Sequence, residues 1–355
     1  MRTEAPAIDG QRRHISAFPK SNLSNPYNDL LYTALGSRGW TVTEFSFRDC
    51  LAHQVSHIHL HWPEAELQRG SAVKTILLHV RLFTCLSLAR IRGIRVIWTV
   101  HNIGAHDGKG EWRSRLFRAW YPRIVTAWIA LSEHARKIAV EAYPGLASKP
   151  HGIAYHGHYR TWYEQPAADT NAPRNTGIQA SRHGPISVGY LGTIRPYKNV
   201  TGLIRAFRSL SAPNTRLTIK GKPWNESLLH EILALANGDP SIAVRPHELP
   251  DREIPKFFDE IDLFVLPHNR VLNSGGLLLS LSFNVPVLAP RQGSLPEVAG
   301  IVGPDWVFLY DGEMTGKVIN DALCWLRTRP QGGRCDLSVF DWDRVAADTE
   351  KIMLP

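Results

Sequence analysis

ISVGYLGTIRPYK, residues 186–198, passes from an apolar run into a glycine and then into two cations. Ile186, Val188, Tyr190 and Leu191 have the character of a buried strand. Gly192 follows where such a strand must turn. Arg195 and Lys198 come next, with Pro196 between them. Beyond Asn199, the residues Leu203, Ile204, Phe207 and Leu210 recur at helical spacing. The stretch therefore reads as strand, glycine turn and helix, with an arginine and a lysine at the turn. A helix N-terminus offers unpaired N–H groups and the positive end of a dipole. Arginine adds a planar fork suited to phosphate oxygens, and lysine a point charge. The same pattern also describes an ordinary turn with two solvated cations, so its neighbours must decide.

Downstream the alternation continues. Strands are expected at 186–191, 215–220, 241–244, 262–267, 285–289 and 306–310. Helices are expected near 200–209, 225–236, 253–259, 275–283, 315–328 and 342–353. Upstream, helical spacing covers Tyr27 to Leu35, Leu77 to Ile91, Trp112 to Tyr121 and Ala135 to Tyr143. Strand-like runs cover Thr41 to Phe47, Val55 to Trp62, Arg95 to Val100 and Thr126 to Leu131. Residues 1–20 read as a loose arm or a further strand. Residues 164–184 lose all periodicity and are rich in Pro, Ala, Asn and Ser, as a linker would be. The class is α/β, with two Rossmann-like, doubly wound parallel-sheet domains facing a cleft. The expected boundaries are 1–163, a linker at 164–184, 185–340, and a C-terminal helix at 341–355.

With 355 residues, two domains are expected. A net charge of +9 calls for an anionic partner, and eleven Trp residues suit sugar stacking or a membrane interface. The four cysteines, Cys50, Cys85, Cys324 and Cys335, form no C-x-x-C pair, which argues against a zinc knuckle or redox motif. They read as buried or free thiols of a reducing compartment. No run is expected to span a membrane, and no signal peptide is visible. Neither G-x-G-x-x-G nor G-x-x-x-x-G-K-[ST] occurs, so nicotinamide and ATPase readings are poorly supported.

The chemistry-bearing residues collect at strand ends. In the second half these are Gly192, Arg195 and Lys198, then Lys222, His247-Glu248 and His268. Asn273, Ser274 and Gly275 lie just before a helix, a second turn ready for an anion. Two such turns suit a diphosphate. In the first half, HLHWPE (59–64), TVHNIGAHD (99–107) and HGHYRTWY (156–163) end strands. Glu64, Asp107, His101 and His106 could each act as a general base, with His61, His156 and His158 close in sequence. The alternating His57, His59 and His61 also fit a metal site, although packed core histidines fit the pattern as well.

Together NPYNDLLYTAL, HLHWPE, TVHN, HGHYRTWY, GTIRPYKN, LNSGGLLLSLSFNVPVLAP and GPDWVFLYDGE resemble the xanthan-type β-mannosyltransferases, the GumI family of GT-B glycosyltransferases. The resemblance runs from about Asn25 to Asp343. It implies inverting transfer of mannose from GDP-mannose to a polyprenyl-diphosphate-linked oligosaccharide in exopolysaccharide synthesis, on the cytoplasmic face of the cell membrane. It also implies that Arg195 and Lys198 hold the donor diphosphate. Asn273, Ser274 and Gly275 fall where retaining GT-B enzymes carry the glycine turn of an E-x7-E motif, but 271–281 contains no acid. The resemblance implies that neither a metal nor another cofactor is needed, and helix ends with the two cations would carry the charge of the leaving GDP.

The alternatives are a GT-B transferase for another nucleotide sugar, an epimerase or phosphorylase of this fold, and a non-enzymatic basic protein binding nucleic acid or membrane. A nucleic-acid reader would want an open basic stripe rather than cations at strand ends, so no nucleic acid is expected. Peripheral attachment to an anionic membrane is expected through the helix of Trp112 to Tyr121. There Trp112, Leu116, Phe117 and Trp120 form a stripe beside Arg113, Arg115 and Arg118.

Overall fold

The computed structural model describes residues 13–22, 25–49, 55–66, 71–103, 111–163, 185–210, 212, 214–330 and 332–354. Its chain divides into two compact units, Met1–Gly157 with Trp342–Pro355, and His158–Asp341. The expected linker, 164–184, lies outside the described residues.

The first unit contains β1 (His14–Phe18), α1 (Tyr27–Ser37), β2 (Thr41–Glu44), β3 (His57–His61), the single turn α2 (Pro63–Glu66), α3 (Ala72–Ile91), β4 (Arg95–Val100), α4 (Glu111–Ile124), β5 (Ala127–Ala130), α5 (Glu133–Ala142) and β6 (His151–Ile153). Its strands form one parallel sheet in the order β2-β1-β3-β4-β5-β6. Residues 14–18 are thus a strand inside the sheet, the second of the two readings offered for 1–20. Alternation sorts the side chains to two faces. Ile58, Leu60, Val96, Trp98 and Trp128 enter the core under α3, α4 and α5. Ile15, Ala17, Ile97 and Ile129 enter a second core with Leu31 and Leu35 of α1.

The second unit begins with the short helix α6 (Arg160–Tyr163). It continues through β7 (Ile186–Leu191), α7 (Val200–Arg208), β8 (Thr215–Lys220), α8 (Glu226–Ala236), β9 (Ile242–Arg245), α9 (Ile254–Asp259), β10 (Leu263–Val265), α10 (Gly275–Ser282), β11 (Val287–Pro290), α11 (Leu295–Val302), β12 (Val307–Tyr310) and α12 (Gly316–Thr328). Its parallel strands run β12-β11-β10-β7-β8-β9. The order reverses between β7 and β10, so the turns after these two strands open at the switch point where such sheets bind ligands.

Two boundaries differ from the sequence reading, each for a packing reason. Residues 158–163 belong to the second unit, not the first. Buried Arg160 donates to the carbonyls of Ser282 and Cys335 at 3.3 and 2.7 Å and to Asn284 Oδ1 at 2.9 Å. The C-terminal helix α13 (Trp342–Met353) joins the first unit. Its Val345, Ala346 and Met353 complete the core of α1. Its buried Glu350 accepts from Arg13 and Arg38 at 2.7 Å each and from Trp40 Nε1 at 3.1 Å.

Two further expectations are corrected. Cys85 is disulfide-bonded rather than a free thiol, whereas Cys324 and Cys335 are free. α3 starts at Ala72, earlier than its spacing suggested, because Ser71 Oγ accepts the N–H of Lys74. It then runs 20 residues with a mean hydropathy of 1.5, long and apolar enough by length and composition to cross a membrane. Its Leu82, Cys85, Leu86 and Ala89 nevertheless pack into the first sheet's core. On α4, the described residues of the stripe expected to face a membrane divide between solvent and core, with Leu116 exposed. Phe117 is buried, and Trp120 donates to His79 Nδ1 at 3.1 Å.

Candidate active site

At the end of β7 the backbone of Gly192 has φ +134, a conformation that L side chains rarely adopt, and its N–H bonds to the Lys220 carbonyl at 3.1 Å. Gly221 at the end of β8 comes so close that a Cβ there would sit 1.9 Å from the Gly192 oxygen. The chain then continues through Ile194, whose N–H bonds to the Lys222 carbonyl at 2.9 Å. A single 3₁₀ turn, Pro196–Lys198, leads into α7 through left-handed Asn199, φ 51. The two glycines thus let adjacent strand ends close up, and the 3₁₀ turn brings both cations to that edge.

Arg195 lies over the Trp224 ring, 4.4 Å from its centroid. Lys198 is half-buried, and burial, together with the charge of Arg195, pushes its ammonium down to about 8. No ion pair among the described residues involves either cation. Two neighbouring cations with no carboxylate to neutralise them are stabilised by an anionic ligand.

The end of β10 meets this turn. Asn269 N–H bonds to the Tyr197 carbonyl at 2.8 Å, and His268 stacks on the Tyr197 ring at 6.2 Å. His268 is buried, its Nδ1 has no hydrogen-bond partner, and burial and the charge of Lys198 hold its imidazole neutral, down at about 3. Ser274 caps α10 by accepting from Leu277 N–H at 3.4 Å, and Gly275 and Gly276 form the helix's first turn. The loop between is held by Gly293, whose backbone packs against Val271, and by Ser294 N–H bonding to Leu272 O at 2.9 Å. Asn273, Ser274 and Gly275 are therefore placed with Arg195 and Lys198 on one edge of the second sheet. Lys222 is exposed at the next strand end. Spacing alone missed Trp224 as the platform for Arg195 and left His268 without a role. A tryptophan two residues after a strand-end Lys-Gly-Lys carries no recognisable signal.

In the first unit, the histidines of β3 form one hydrogen-bond chain. Thr99 Oγ1 and His59 Nε2 are 2.8 Å apart, His59 Nδ1 and Tyr32 Oη 3.2 Å, Tyr32 Oη and His61 Nε2 2.8 Å, and His61 Nδ1 and His101 Nε2 2.8 Å. Tyr32 has one proton, so it donates to one histidine and accepts from the other. This links the tautomers of all three rings. His101 also stacks on Trp62, 4.0 Å between centroids, and meets Tyr27 edge-on at 4.9 Å. Burial, then the neighbouring imidazoles, hold His61 and His101 well below the ordinary histidine range, so both are neutral at pH 7. His57 is satisfied by Ser56 Oγ and the Met353 carbonyl at 2.9 and 3.0 Å. Among the described residues no three His, Cys, Asp or Glu side chains gather as metal ligands would.

Glu64 follows β3 but points to the opposite face, where its charge raises the phenols of Tyr121 and Tyr143. Both its oxygens are buried without a partner, and burial pushes its carboxyl up to about 7. His156 donates from Nδ1 to the Gly157 carbonyl at 2.8 Å and packs against Tyr27 at 4.8 Å, and burial lowers it to about 4. His158 belongs to the second unit, where Nδ1 accepts from Arg160 N–H at 3.2 Å and Nε2 lies 2.7 Å from Asp341 Oδ1. His106 and Asp107 lie outside the described residues.

Residues 172–301 match the family Glycosyl transferases group 1. The chain is 31% identical over 327 residues to the GDP-mannose:glycolipid 4-beta-D-mannosyltransferase of Xanthomonas campestris pv. campestris, covering 92% of this chain and 87% of the relative. Among solved structures it is similar to sucrose-phosphate synthase from Thermosynechococcus elongatus, with TM-score 0.62, 13% identity and 96% and 98% of the two chains covered. It is similar also to Anabaena HepE in complex with UDP-glucose, with TM-score 0.61, 15% identity and 96% and 97% covered. With two doubly wound sheets and this relative along nearly its whole length, the chain is a GT-B glycosyltransferase and belongs to the GumI-like family of the GDP-mannose:glycolipid 4-beta-D-mannosyltransferases.

Proposed function

We propose that the chain transfers mannose from GDP-mannose, with inversion, to a polyprenyl-diphosphate-linked oligosaccharide in exopolysaccharide synthesis, working peripherally at the inner face of the cell membrane. The observation that carries the reading is the neighbouring pair Arg195 and Lys198, which make no ion pair with a carboxylate among the described residues. The donor and acceptor are taken from the relative's activity and the family resemblance. The donor diphosphate sits on Arg195, Lys198, Gly192 and the N-terminus of α10 at Asn273, Ser274 and Gly275, with exposed Lys222 at the rim. The acceptor hydroxyl attacks C1 of the sugar. The bond from C1 to the β-phosphate oxygen breaks, and its electron pair leaves on GDP. Arg195, Lys198 and the helix N–H groups take up that charge, the task a metal performs in other transferases.

The acceptor's proton passes to a base of the first unit. His101 fits that role best among the described candidates. It is neutral, and His61 orients it through the 2.8 Å bond to its Nε2. Glu64, whose carboxyl near 7 is suited to proton transfer, is enclosed on the other face. The test is a donor panel of GDP- and UDP-sugars with a lipid-linked acceptor, reading transfer and the anomeric configuration of the product by NMR. GDP-mannose should be preferred and the product β-linked. Arg195→Ala should lower turnover by a factor of about 10²–10³, the loss typical of one oxyanion donor. A UDP-sugar preference, a retained configuration, or wild-type turnover by Arg195→Ala would each refute part of this reading.

A further inference from the structure

The face of α3 that points away from its own core is apolar. Val73 is 67% exposed, Ile76 47%, Leu77 63%, Val80 58% and Phe83 45%. At 100° per residue these positions fall within one arc, roughly opposite the buried Leu82, Leu86 and Ala89. A helix packed on a sheet normally turns charge to its outer side. This one is apolar on both sides and contains no Asp or Glu from Ala72 to Ile91.

Its borders are basic. Lys74 and Arg81 flank the outer arc on one side and Arg90 on the other, all exposed. Arg81 lies over the Phe47 ring at 3.7 Å, and Arg90 donates to the Arg123 carbonyl at 2.9 Å, so both are anchored along the edge of the arc. On the neighbouring α4, Arg115, Leu116 and Arg118 are also exposed.

We infer that the outer face of α3 lies flat in an anionic lipid interface, with its aliphatic side chains below the headgroups and its cations among them. Charge decides between lipid and a second copy of the chain. A two-fold contact would set this basic, acid-free face against itself, which like-charge repulsion opposes. Anionic headgroups supply the missing charge, and an apolar arc with basic borders matches helices that lie in the plane of a bilayer surface. The inference deepens the reading of a lipid-linked acceptor, which otherwise stands apart from it, because vesicle binding needs neither donor nor acceptor.

The experiment is flotation of the purified full chain with phosphatidylcholine vesicles, with and without 30% phosphatidylglycerol (a composition of about that value serves), at low and high salt. The wild type should float with the anionic vesicles and less so in salt. Val73→Ser, Leu77→Ser and Val80→Ser together should lower the partition coefficient at least about tenfold. Lys74→Gln with Arg118→Gln should lower it about fivefold per cation on anionic vesicles only. Melting curves and GDP binding of every variant should stay at wild-type values, because these positions are exposed on the first unit and the donor groups belong to the second. Leu77→Asp alone serves as a second variant if the triple one does not fold. Absent flotation of the wild type, or undiminished flotation of the folded apolar variants, overturns the inference. So does a solution dimer of the wild type that the triple variant abolishes, since a second copy would then cover the face.

Discussion

Lys198 gives the sharpest quantitative test of the donor site. Burial beside Arg195 brings its ammonium down to about 8 from the ordinary lysine value of 10.5. A diphosphate binds the protonated form, so donor affinity must fall as pH rises through that value. From pH 7 to 8.5 the protonated fraction drops from about 0.9 to about 0.24, which is about a fourfold loss of affinity, or about 0.8 kcal/mol. The sugar nucleotide's diphosphate does not titrate in this window, and guanine titrates above it. The assay is calorimetric titration of GDP-mannose at half-unit steps. Lys198→Arg should remove the fall, because a guanidinium stays charged throughout. Arg195→Gln should weaken binding at every pH and also move the fall to higher pH, because a neighbouring positive charge that depresses Lys198 is gone. A wild-type affinity flat to pH 8.5, or an unchanged fall in Lys198→Arg, would refute the placement of Lys198 on the diphosphate.

Other outcomes follow from particular contacts. Gly221→Ala places a Cβ 1.9 Å from the Gly192 oxygen, so the two strand ends must separate; a melting-temperature loss worth about 1–3 kcal/mol, with weaker donor binding by calorimetry, is expected. Burial raises the Glu350 carboxyl, but hydrogen bonds from Arg38 and Trp40 and the charges of Arg38 and Arg13 outweigh it and hold the group below its ordinary range. The stability it contributes is therefore present above the unfolded carboxylate value and lost as pH falls through the lower folded one. Glu350→Gln should cost about 1.5–3 kcal/mol by urea unfolding at pH 7, with the difference from wild type shrinking in acid. With His101 as the base, burial holds its imidazole well below the ordinary histidine range, so turnover should show no acid limb in that range. His101→Ala should abolish transfer with donor binding intact. His61→Phe should lower kcat more than KM, since it leaves the base present but unoriented.

The sequence alone determined the repeating order of the second unit. Observed β7 and β8 coincide with the predicted 186–191 and 215–220, and α7 with 200–209 to within a residue. The cause is local: buried parallel strands read as short apolar runs, glycine marks their sharp turns, and helical spacing follows. The donor-side cations were legible for the same reason, because strand end, glycine and helix lie within one stretch of chain. What depended on distant contacts was not legible. Residues 14–18 become a strand only because β2 and β3 flank them. Residues 158–163 join the second unit through Arg160, and α13 joins the first through Glu350 and the core of α1. Sequence spacing put Glu64 and His101 in one set of candidate bases, yet the sheet sends their side chains to opposite faces, one among phenols and the other into the histidine chain. The stripe of α4 divides, Phe117 entering the core and Leu116 facing solvent, while α3 is apolar both on its core side and on its outer side, although both helices satisfy the same periodicity. Periodicity states that a helix has an apolar face. Which face meets the core is set by the neighbours that the tertiary structure brings to it.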